Sequence, residues 1–317
     1  MHSKKNNMDI DLVYLWVDGN DPEWQAKRAP YFKNIDQNND VGCKGRYINN
    51  DELKYSLRSA EKYAPWIRKI FIVTDNQTPE WLDVTNPKIK IIDHKEIIPE
   101  ECLPCFNPFV IEYFLYKIPD LSEQFLFAND DMFFNDDLQP DFFFAEDGFP
   151  IVRLKRKPWA KMRFRARVLF GKKPRHYRTV VHKSSVLVKK KLGKNFSGLP
   201  HHNIDAYKKS DFSNAVEEVF RKEVEKSMKN RVRTKSDFHR AAVSYYALAI
   251  RHGHLKYIEK EETRHLFVCK PEFMEYLQQF KPKLFCLNDD ERANDNDRER
   301  IRPFLETLYP EKSAFEK

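Results

Sequence analysis

Residues 125–134 have the sequence Phe-Leu-Phe-Ala-Asn-Asp-Asp-Met-Phe-Phe, in which two adjacent carboxylates, Asp130 and Asp131, separate two apolar runs. The first run is short and rich in aromatic residues, which is typical of a buried β-strand. Burying either carboxylate without a partner is costly, and a bound cation removes that cost. Oxygen ligands suit Mg²⁺ or Mn²⁺. The stretch therefore predicts a strand ending at a metal site, with a polar helix-capping turn as the alternative.

Three apolar segments upstream also have the character of strands. They cover residues 10–17, 70–73 and 89–92, and helical spacing appears at 52–63 and 111–117. Strands that alternate with helices predict an α/β fold with a mainly parallel, Rossmann-like sheet and flanking helices. Ligands of such sheets bind outside the carboxyl ends of the strands. Because three of the four strands end in Asp or Asn, we expect the functional site at that edge.

The second half of the chain has a different pattern. Amphipathic segments at 212–229 and 237–251 predict a helical lobe, and a strand-like run at 284–287 precedes a second triplet, Asn288-Asp289-Asp290. The second triplet either adds or orients metal ligands or forms a solvated acidic turn. We expect four parts: an α/β core at 1–150, a basic segment at 151–195, the helical lobe at 196–280 and a C-terminal segment at 281–317 that completes the core.

Motifs and cysteines exclude several classes of protein. The chain contains no GxGxxG and no GxxxxGK[ST], so neither a dinucleotide nor a P-loop site is predicted. Its five cysteines are odd in number and irregularly spaced, which argues against a disulfide framework. Cys102 and Cys105 form a single CxxC without the second pair that a zinc site needs. Reduced thiols in a cytoplasmic protein fit this pattern best.

The net charge of +8 is concentrated in one segment. Residues 153–178 contain many Lys and Arg residues and no Asp or Glu. This pattern is either a solvated loop or a patch that meets a phosphate-bearing polymer, a membrane surface or nucleic acid. Its aromatic residues match no RNA-binding signature, so we expect no nucleic-acid partner. With no apolar run long enough to span a bilayer, we expect a cytoplasmic protein that contacts the inner face of the membrane through this segment.

Histidine, arginine and tryptophan residues supply further candidates. The adjacent His201 and His202 point apart in an extended chain, so one of them is expected to act as a base, a phosphate contact or a ligand. A guanidinium matches phosphate oxygens, which makes Arg46, Arg58 and Arg233 candidates. The side chain of Trp16 either stacks on a base or sugar ring or belongs to the core.

Four ordered blocks of this sequence resemble the Stealth family of capsular-polysaccharide phosphotransferases, which also includes the catalytic subunit of the animal GlcNAc-1-phosphotransferase. The first block is residues 10–22, with Trp16-Val17-Asp18-Gly19, and the second covers 46–134 and ends in Asn129-Asp130-Asp131. The third contains Pro200-His201-His202, Arg233 and Asp237, and the fourth covers 284–316. The third block departs from the family pattern, since Ile204 stands where a proline is usual, and His201 remains a rival to His202.

The resemblance implies a fold similar to GT-A nucleotide-sugar transferases, a UDP-sugar donor and Mg²⁺ or Mn²⁺. By position, it implies catalytic roles for His202, Arg233, Asp130 and Asp131. The implied metal ligands are Asp130, Asp131, Asn288 and Asp289. The implied substrate-binding residues are Trp16, Val17, Asp18, Gly19, Arg46, Arg58, Asn107, His201 and Asp237.

The implied reaction transfers a sugar-1-phosphate from UDP-GlcNAc or a similar UDP-hexose to a carbohydrate hydroxyl. The acceptor is an oligosaccharide or polysaccharide, either anionic or lipid-linked, and UMP is released. The role of His202 as a general base and a covalent phosphohistidine both remain open. The alternative function is a conventional metal-dependent glycosyltransferase that releases UDP, and the leaving nucleotide distinguishes the two.

Overall fold

A computed structural model describes residues 8–33, 35, 42–172, 175–196 and 198–317. Its central sheet has five strands in the order β3-β2-β1-β4-β8, of which the first four are parallel and β8 is an antiparallel edge. The mainly parallel α/β fold predicted from the sequence is confirmed. The five strands are β1 (Ile10–Leu15), β2 (Ile70–Thr74), β3 (Ile89–Asp93), β4 (Gln124–Asn129) and β8 (Asp205–Lys208).

The strand order reverses between β1 and β4. From β1 the chain moves outward through β2 to β3 and then returns to place β4 on the other side of β1. Connections on either side of such a point leave the sheet in opposite directions and open a crevice at the carboxyl ends of the two strands. The fold therefore places Trp16 and Val17, which follow β1, beside Asp130 and Asp131, which follow β4.

Both faces of the sheet are buried, as parallel strands require. Along β1, Leu12 and Tyr14 pack into one apolar cluster while Val13 and Leu15 pack into the other. All six residues of β1 are buried. The near-continuous apolar sequence of each central strand follows from having a core on both sides.

Helices cover these faces. The predicted helix at 52–63 is present as α2 with the same bounds, and the region predicted at 111–117 forms a shorter helix followed by a 3₁₀ turn. In the first half the α-helices are α1 (Pro22–Phe32), α2 (Glu52–Tyr63), α3 (His94–Ile97) and α4 (Pro108–Tyr113). In the second half they are α5 (Ala160–Leu169), α6 (His176–Leu192), α7 (Lys209–Asn214), α8 (Arg221–Met228), α9 (Ala241–Ala249), α10 (Phe273–Phe280), α11 (Asp295–Glu299) and α12 (Ile301–Leu308).

A second sheet joins the two Asn-Asp-Asp triplets. Its strands are β10 (Thr263–Phe267), β11 (Leu284–Asn288) and β5 (Met132–Phe134), in the order β10-β11-β5. Cys286 on β11 lies opposite Met132 on β5, and the backbone N–H of Leu287 donates to the carbonyl of Asp131 at 2.9 Å. Because β11 runs antiparallel to β5, its carboxyl end reaches the turn that contains Asp130 and Asp131.

A third small sheet contains the strand with which the basic segment begins. It consists of β7 (Leu199–Pro200), β6 (Ile151–Lys155) and β9 (His254–Tyr257), in the order β7-β6-β9. The region 196–280, predicted as a helical lobe, therefore contains strands as well as helices, and one of them, β8, completes the central sheet. Within the described ranges, no helix combines the length and apolar character needed to cross a membrane.

Candidate functional site

Two adjoining cavities lie at the switch point of the central sheet. The first, about 160 Å³, is bounded by the ends of β1, β4 and β11 and by aromatic side chains including Trp16, Trp24 and Phe106. The second, about 390 Å³, lies between the sheet, α4, α6 and β10. The two cavities share Arg46, Pro108, Asn129, Asp131, Arg233 and Asn288. Their common wall makes them one cleft, which we call the switch-point cleft.

Three carboxylates meet on the wall of the first cavity. Glu52 begins α2, while Asp130 and Asp131 follow β4. Burial raises the pKa of all three, and mutual repulsion adds to it, Asp130 acting on Glu52 and Asp131 acting on Asp130. Three close carboxylates of like charge are unfavourable together unless a proton or a cation neutralises them.

The carboxylate cluster fits a hard divalent cation. Asp131 Oδ1 is buried without a hydrogen-bond partner, while its Oδ2 accepts from Cys286 Sγ at 3.3 Å. Glu52 is held by Asn50, whose backbone N–H and side-chain amide each donate to it at 2.7 Å. Fixed carboxylate oxygens with one buried atom unsatisfied are the donors that Mg²⁺ or Mn²⁺ takes.

His202 lies on the wall of the second cavity. Its ring is 4.6 Å from the ring of His265 and 5.4 Å from that of Tyr177, centroid to centroid. Burial, reinforced by His265 and nearby cationic side chains, holds the pKa of His202 well below its usual value. The imidazole is therefore neutral near pH 7, with one ring nitrogen unprotonated.

One thiol connects His202 to the carboxylates. Ligand atoms of His202, His265 and Cys286 lie within 4.8 Å of one another, and Cys286 also contacts Asp131. A nitrogen and sulfur set of this kind suits a softer ion than Mg²⁺. The side chain of Cys286 therefore lies close to both the imidazole of His202 and the carboxylate of Asp131.

The structure separates the two adjacent histidines. His201 is 1% exposed and lines neither cavity. Its Nε2 is 2.9 Å from Asp205 Oδ1 and its Nδ1 is 3.3 Å from the hydroxyl of Thr263, so both nitrogens are engaged. His201 packs in the interior while His202, with a φ of 59°, turns back towards the cleft.

The second triplet reaches the site through Asn288 and Asp289. Both line the first cavity, and Asn288 also lines the second. Asp289 is fixed by Arg298, whose Nε and Nη2 donate to its two oxygens at 2.6 and 3.0 Å. Gly45 lies against this carboxylate so closely that a Cβ there would be 2.2 Å from Asp289 Oδ1.

Arg46 and Arg233 both line the two cavities, as a phosphate-binding role requires. Arg233 lies in a loop whose conformation is fixed by hydrogen bonds of two predicted site residues. Asn107 Nδ2 donates to Asp237 Oδ2 at 2.9 Å, and the Thr234 backbone N–H donates to the same oxygen at 2.7 Å. Asn107 and Asp237 therefore position the loop of Arg233 without lining the cleft.

Arg58, Asp18 and Gly19 also lie outside the cavity walls. Arg58 is buried against the C-terminal segment, where Nε and Nη2 donate to Glu316 at 2.8 and 2.9 Å. Asp18 exchanges hydrogen bonds with Gln77, and Gly19 packs on Tyr47. Of the residues predicted to bind substrate, Trp16, Val17 and Arg46 line the cleft.

Several cleft residues were missed by the sequence reasoning. Glu52 occupies the first turn of a helix, where a glutamate is usual, so nothing in the local pattern distinguishes it. His265 lies in the middle of β10, and no sequence motif surrounds it. The basic segment at 153–178, by contrast, was singled out from the sequence, and it contributes Lys155, Lys157, Arg175 and Arg178 to the second cavity.

The fold and cleft define an α/β protein with a carboxylate-lined site at a topological switch point. Three family models match this chain: Stealth protein conserved region 1 over residues 8–36, conserved region 2 over 46–152 and conserved region 4 over 275–317. A capsular polysaccharide phosphotransferase of Actinobacillus suis is 33% identical over 315 residues, covering 95% of this chain and 83% of that protein. The chain belongs to the Stealth family.

Other relatives are longer than this chain. The capsular polysaccharide phosphotransferase SacB of Neisseria meningitidis serogroup A is 32% identical over 327 aligned positions, covering 100% of this chain and 58% of that protein. The phosphotransferase cps12A of Actinobacillus pleuropneumoniae is 47% identical over 158 residues, covering 49% of this chain and 43% of that protein. The matched region thus spans about half the length of these two relatives.

Solved structures that resemble the chain are glycosyltransferases. The galactosyltransferase LgtC, solved with donor and acceptor sugar analogues, aligns with a TM-score of 0.49 at 10% identity and covers 96% of both chains. The glycosyltransferase GlyE of Streptococcus pneumoniae TIGR4 aligns with a TM-score of 0.45 at 10% identity, over 96% of this chain and 61% of that one.

Proposed function

We propose that this protein transfers a sugar-1-phosphate from a UDP-sugar, such as UDP-GlcNAc or a similar UDP-hexose, to a carbohydrate hydroxyl in capsule or surface-polysaccharide synthesis. The observation that carries the proposal is the switch-point cleft, which combines a carboxylate cluster, two arginines and a neutral imidazole. Membership of a family whose relatives are named capsular polysaccharide phosphotransferases supports the same reaction class.

The first cavity suits the nucleotide. Aromatic and apolar side chains, among them Trp16, Trp24 and Phe106, form one part of its wall, and Asp130 and Asp131 form another. Aromatic faces stack on a nucleobase, while Arg46 and Arg233 offer forked donors to phosphate oxygens. A divalent ion held by Asp130 and Asp131, with Glu52 beside them, would neutralise the diphosphate.

The second cavity suits the acceptor. An acceptor hydroxyl beside His202 gives its proton to the neutral imidazole as its oxygen attacks the β-phosphorus. The bond from the β-phosphorus to the oxygen shared with the α-phosphorus breaks, and UMP leaves with that electron pair. The sugar keeps its bond to the anomeric oxygen, so a sugar–phosphate–sugar diester forms. Arg46 and Arg233 stabilise the charge that gathers on the phosphoryl oxygens.

The leaving nucleotide tests the reaction class. Incubation with a panel of UDP-sugars, Mg²⁺ and capsular oligosaccharides should release UMP, identified by mass. Release of UDP instead would identify a conventional glycosyltransferase and contradict the proposal.

Variants test the assigned residues. His202→Asn is chosen because asparagine tolerates the left-handed backbone at this position, and we expect it to lower kcat by about 10²- to 10⁴-fold, the usual contribution of a general base. The matched control is His254→Asn, since His254 is half exposed and pairs with Asp147. Retention of near-normal kcat by a folded His202→Asn protein would remove the imidazole from the reaction.

A further inference from the structure

Helix α5 lies on the surface with little packing. None of its ten residues is buried. Its inward face is marked by Phe164, stacked on His182 with ring centroids 4.1 Å apart, and by Lys161, which donates to Asn195. Trp159, Arg163 and Arg167 border the cavity between α5 and α6 and are exposed at its rim, and the rest of the circumference faces outward.

The outward face is apolar. Trp159, Met162, Leu169 and Phe170 are 61%, 59%, 82% and 77% exposed. Trp159 and Phe170 flank the helix directly, and at about 100° per residue these four side chains and Ala166 fall within a single arc of about 100°. Isolated exposed apolar residues are normal, but a contiguous group of large ones marks an interaction surface.

Arginines border this apolar arc on both sides. Arg163 and Arg167 fall on one side and Arg165 on the other, by the same helical spacing. Residues 153–178 contain twelve Lys and Arg residues and no Asp or Glu. The partner of this face must therefore combine an apolar phase with negative charge.

We propose that this face, formed by Trp159, Met162, Leu169 and Phe170 with Arg163, Arg165 and Arg167, docks on the surface of an anionic lipid bilayer. A helix with an apolar arc bordered by cations lies in the plane of the headgroups, with the apolar side chains at the acyl boundary. The arginines reach anionic headgroups, and a tryptophan is a favoured residue at this depth.

Docking in this way would bring a cavity that adjoins the switch-point cleft close to the membrane surface. A basic cavity of about 500 Å³ lies between α5 and α6 and shares Lys157, Arg175, Arg178 and Leu199 with the second cavity of the switch-point cleft. The docking itself rests on α5 and is independent of the function proposed for the cleft.

Other occupants fit this face less well. An anionic polysaccharide would use the arginines but would leave Met162, Leu169 and Phe170 in water, since these three do not line the basic cavity. A second copy of the chain meeting face to face would oppose arginine with arginine, because the same patch occurs on both sides of a two-fold interface. The bilayer satisfies both the apolar arc and the charge.

Vesicle co-sedimentation of the full chain tests the proposal. We expect binding to phosphatidylcholine vesicles that contain phosphatidylglycerol and little binding to phosphatidylcholine alone. Leu169→Ser with Phe170→Ser should weaken binding by about tenfold or more, since burial of two large apolar side chains is lost. The control, Val84→Ser with Leu255→Ser, changes apolar residues that are 49% and 42% exposed elsewhere, and it should bind as the wild type does.

Tryptophan quenching tests the orientation. Lipids brominated on the acyl chains should quench the protein's fluorescence on binding, and Trp159→Phe should abolish that quenching while the other four tryptophans remain. Unchanged vesicle binding by the Leu169→Ser, Phe170→Ser variant would overturn the proposal. The proposal would also be overturned if the wild type did not bind vesicles and instead formed a dimer that the Leu169→Ser, Phe170→Ser variant dissociates. Transfer to a soluble acceptor should be unaffected in the variant, which separates a docking defect from failure of the proposed reaction.

Discussion

At the scale of single residues, the site depends on charges that the fold forces together. Glu52, Asp130 and Asp131 come from two separate segments, and each is less acidic than an exposed carboxyl because of burial and repulsion by its neighbours. When its carboxylates are ionised and no cation is bound, such a cluster lowers the stability of the folded protein. The same repulsion between the carboxylates favours tight binding of a cation.

Removing one of these charges should stabilise the metal-free protein against unfolding and weaken its binding of Mg²⁺. Since the pKa values are raised in the folded protein, the stability that these protonated carboxyls contribute is lost as pH rises through the raised pKa values. We therefore expect Mg²⁺ to stabilise the folded protein more at pH 8 than at pH 6, and a hundredfold excess of Mg²⁺ over its Kd adds about 2.7 kcal/mol to the free energy of unfolding.

Asp130→Asn should unfold at a higher temperature than the wild type in EDTA at pH 8 and should lose the stabilisation by Mg²⁺. Differential scanning fluorimetry with and without EDTA measures both effects, with the exposed Asp136→Asn as control. An undiminished Mg²⁺ response in Asp130→Asn would place the ion elsewhere.

Gly45 is required for the position of Asp289. Because a Cβ would lie 2.2 Å from Asp289 Oδ1, Gly45→Ala must displace the carboxylate or the loop. A shift of about 1 Å in an active site can cost about 10²-fold in rate, and we expect a kcat loss of that order in steady-state assays. Gly253→Ala, where the nearest atoms lie at 3.4 Å, is the control and should keep full activity.

At the scale of elements, the loop that carries Arg233 is held by one buried carboxylate. Asp237 accepts from Asn107, Asn230 and Thr234, with the Asn230 Nδ2 to Asp237 Oδ1 distance at 2.6 Å. Every one of these partners is a donor, so an amide in place of the carboxylate would oppose donor to donor.

Asp237→Asn should therefore misplace Arg233 and also lower the free energy of unfolding by about 1 to 3 kcal/mol. In a double-mutant cycle, Arg233→Ala should lower kcat strongly, and adding Asp237→Asn should lower it little further. The stability loss from Asp237→Asn should persist in the double mutant, as chemical denaturation will show. Additive effects on kcat would mean that Asp237 acts on the reaction without Arg233.

The edge strand β8 is tied to α9 by a buried ion pair. Asp205 on β8 interacts with Arg240, next to α9, and accepts a hydrogen bond from His201. Burial alone would raise the pKa of Asp205, but the charge of Arg240 and the contact with His201 outweigh it and lower the pKa to about 2.

A lowered pKa makes this contribution to stability sensitive to acid. It is fully present above the unfolded-state value of 3.8 and is lost as pH falls towards 2. Asp205→Asn should cost about 1 to 3 kcal/mol near pH 7, because Arg240 loses one charged hydrogen-bond acceptor while Glu112, 3.2 Å from its Nε, remains as its second buried partner. The difference from the wild type should narrow below pH 4 in urea unfolding, and a constant difference from pH 7 to pH 3 would contradict this account.

At the scale of the whole molecule, Arg58 joins the last residues of the chain to α2. Its guanidinium meets both oxygens of Glu316, and Nη1 donates to the carbonyl of Tyr309 at 2.7 Å. These contacts fix the C-terminal segment against α2, and Arg58 lies outside the walls of both cavities of the cleft.

Arg58→Ala should act on stability and leave donor binding unchanged. Removing Arg58 leaves the buried carboxylate of Glu316 with the more distant Lys54 at 3.6 Å and the donors of Ser313, and the lost charged hydrogen bonds should cost about 1 to 3 kcal/mol. We expect that loss in equilibrium unfolding, with an unchanged KM for the donor at temperatures where the variant is folded. Arg221→Ala, at an exposed pair with Glu225, is the control. A raised KM in Arg58→Ala would restore the substrate role predicted from the sequence.

The sequence by itself determined the elements of the core and the chemical type of the site. Apolar runs such as 125–128 predict strands because a strand buried on both faces needs uninterrupted apolar residues, and Asp130 and Asp131 stand out because carboxylates are rare in such surroundings. Local patterns of this kind are properties of neighbouring residues, so a sequence is enough to find them.

Only the tertiary structure decided which side chains share the cleft. Glu52, His265 and Cys286 join the site from distant segments, while Arg58 and His201 find buried partners elsewhere. Arg58 meets Glu316, which is 258 residues away along the chain, and no local pattern records such a contact. The reversal of strand order between β1 and β4 is what gathers these groups, because it opens the crevice into which the strand ends point.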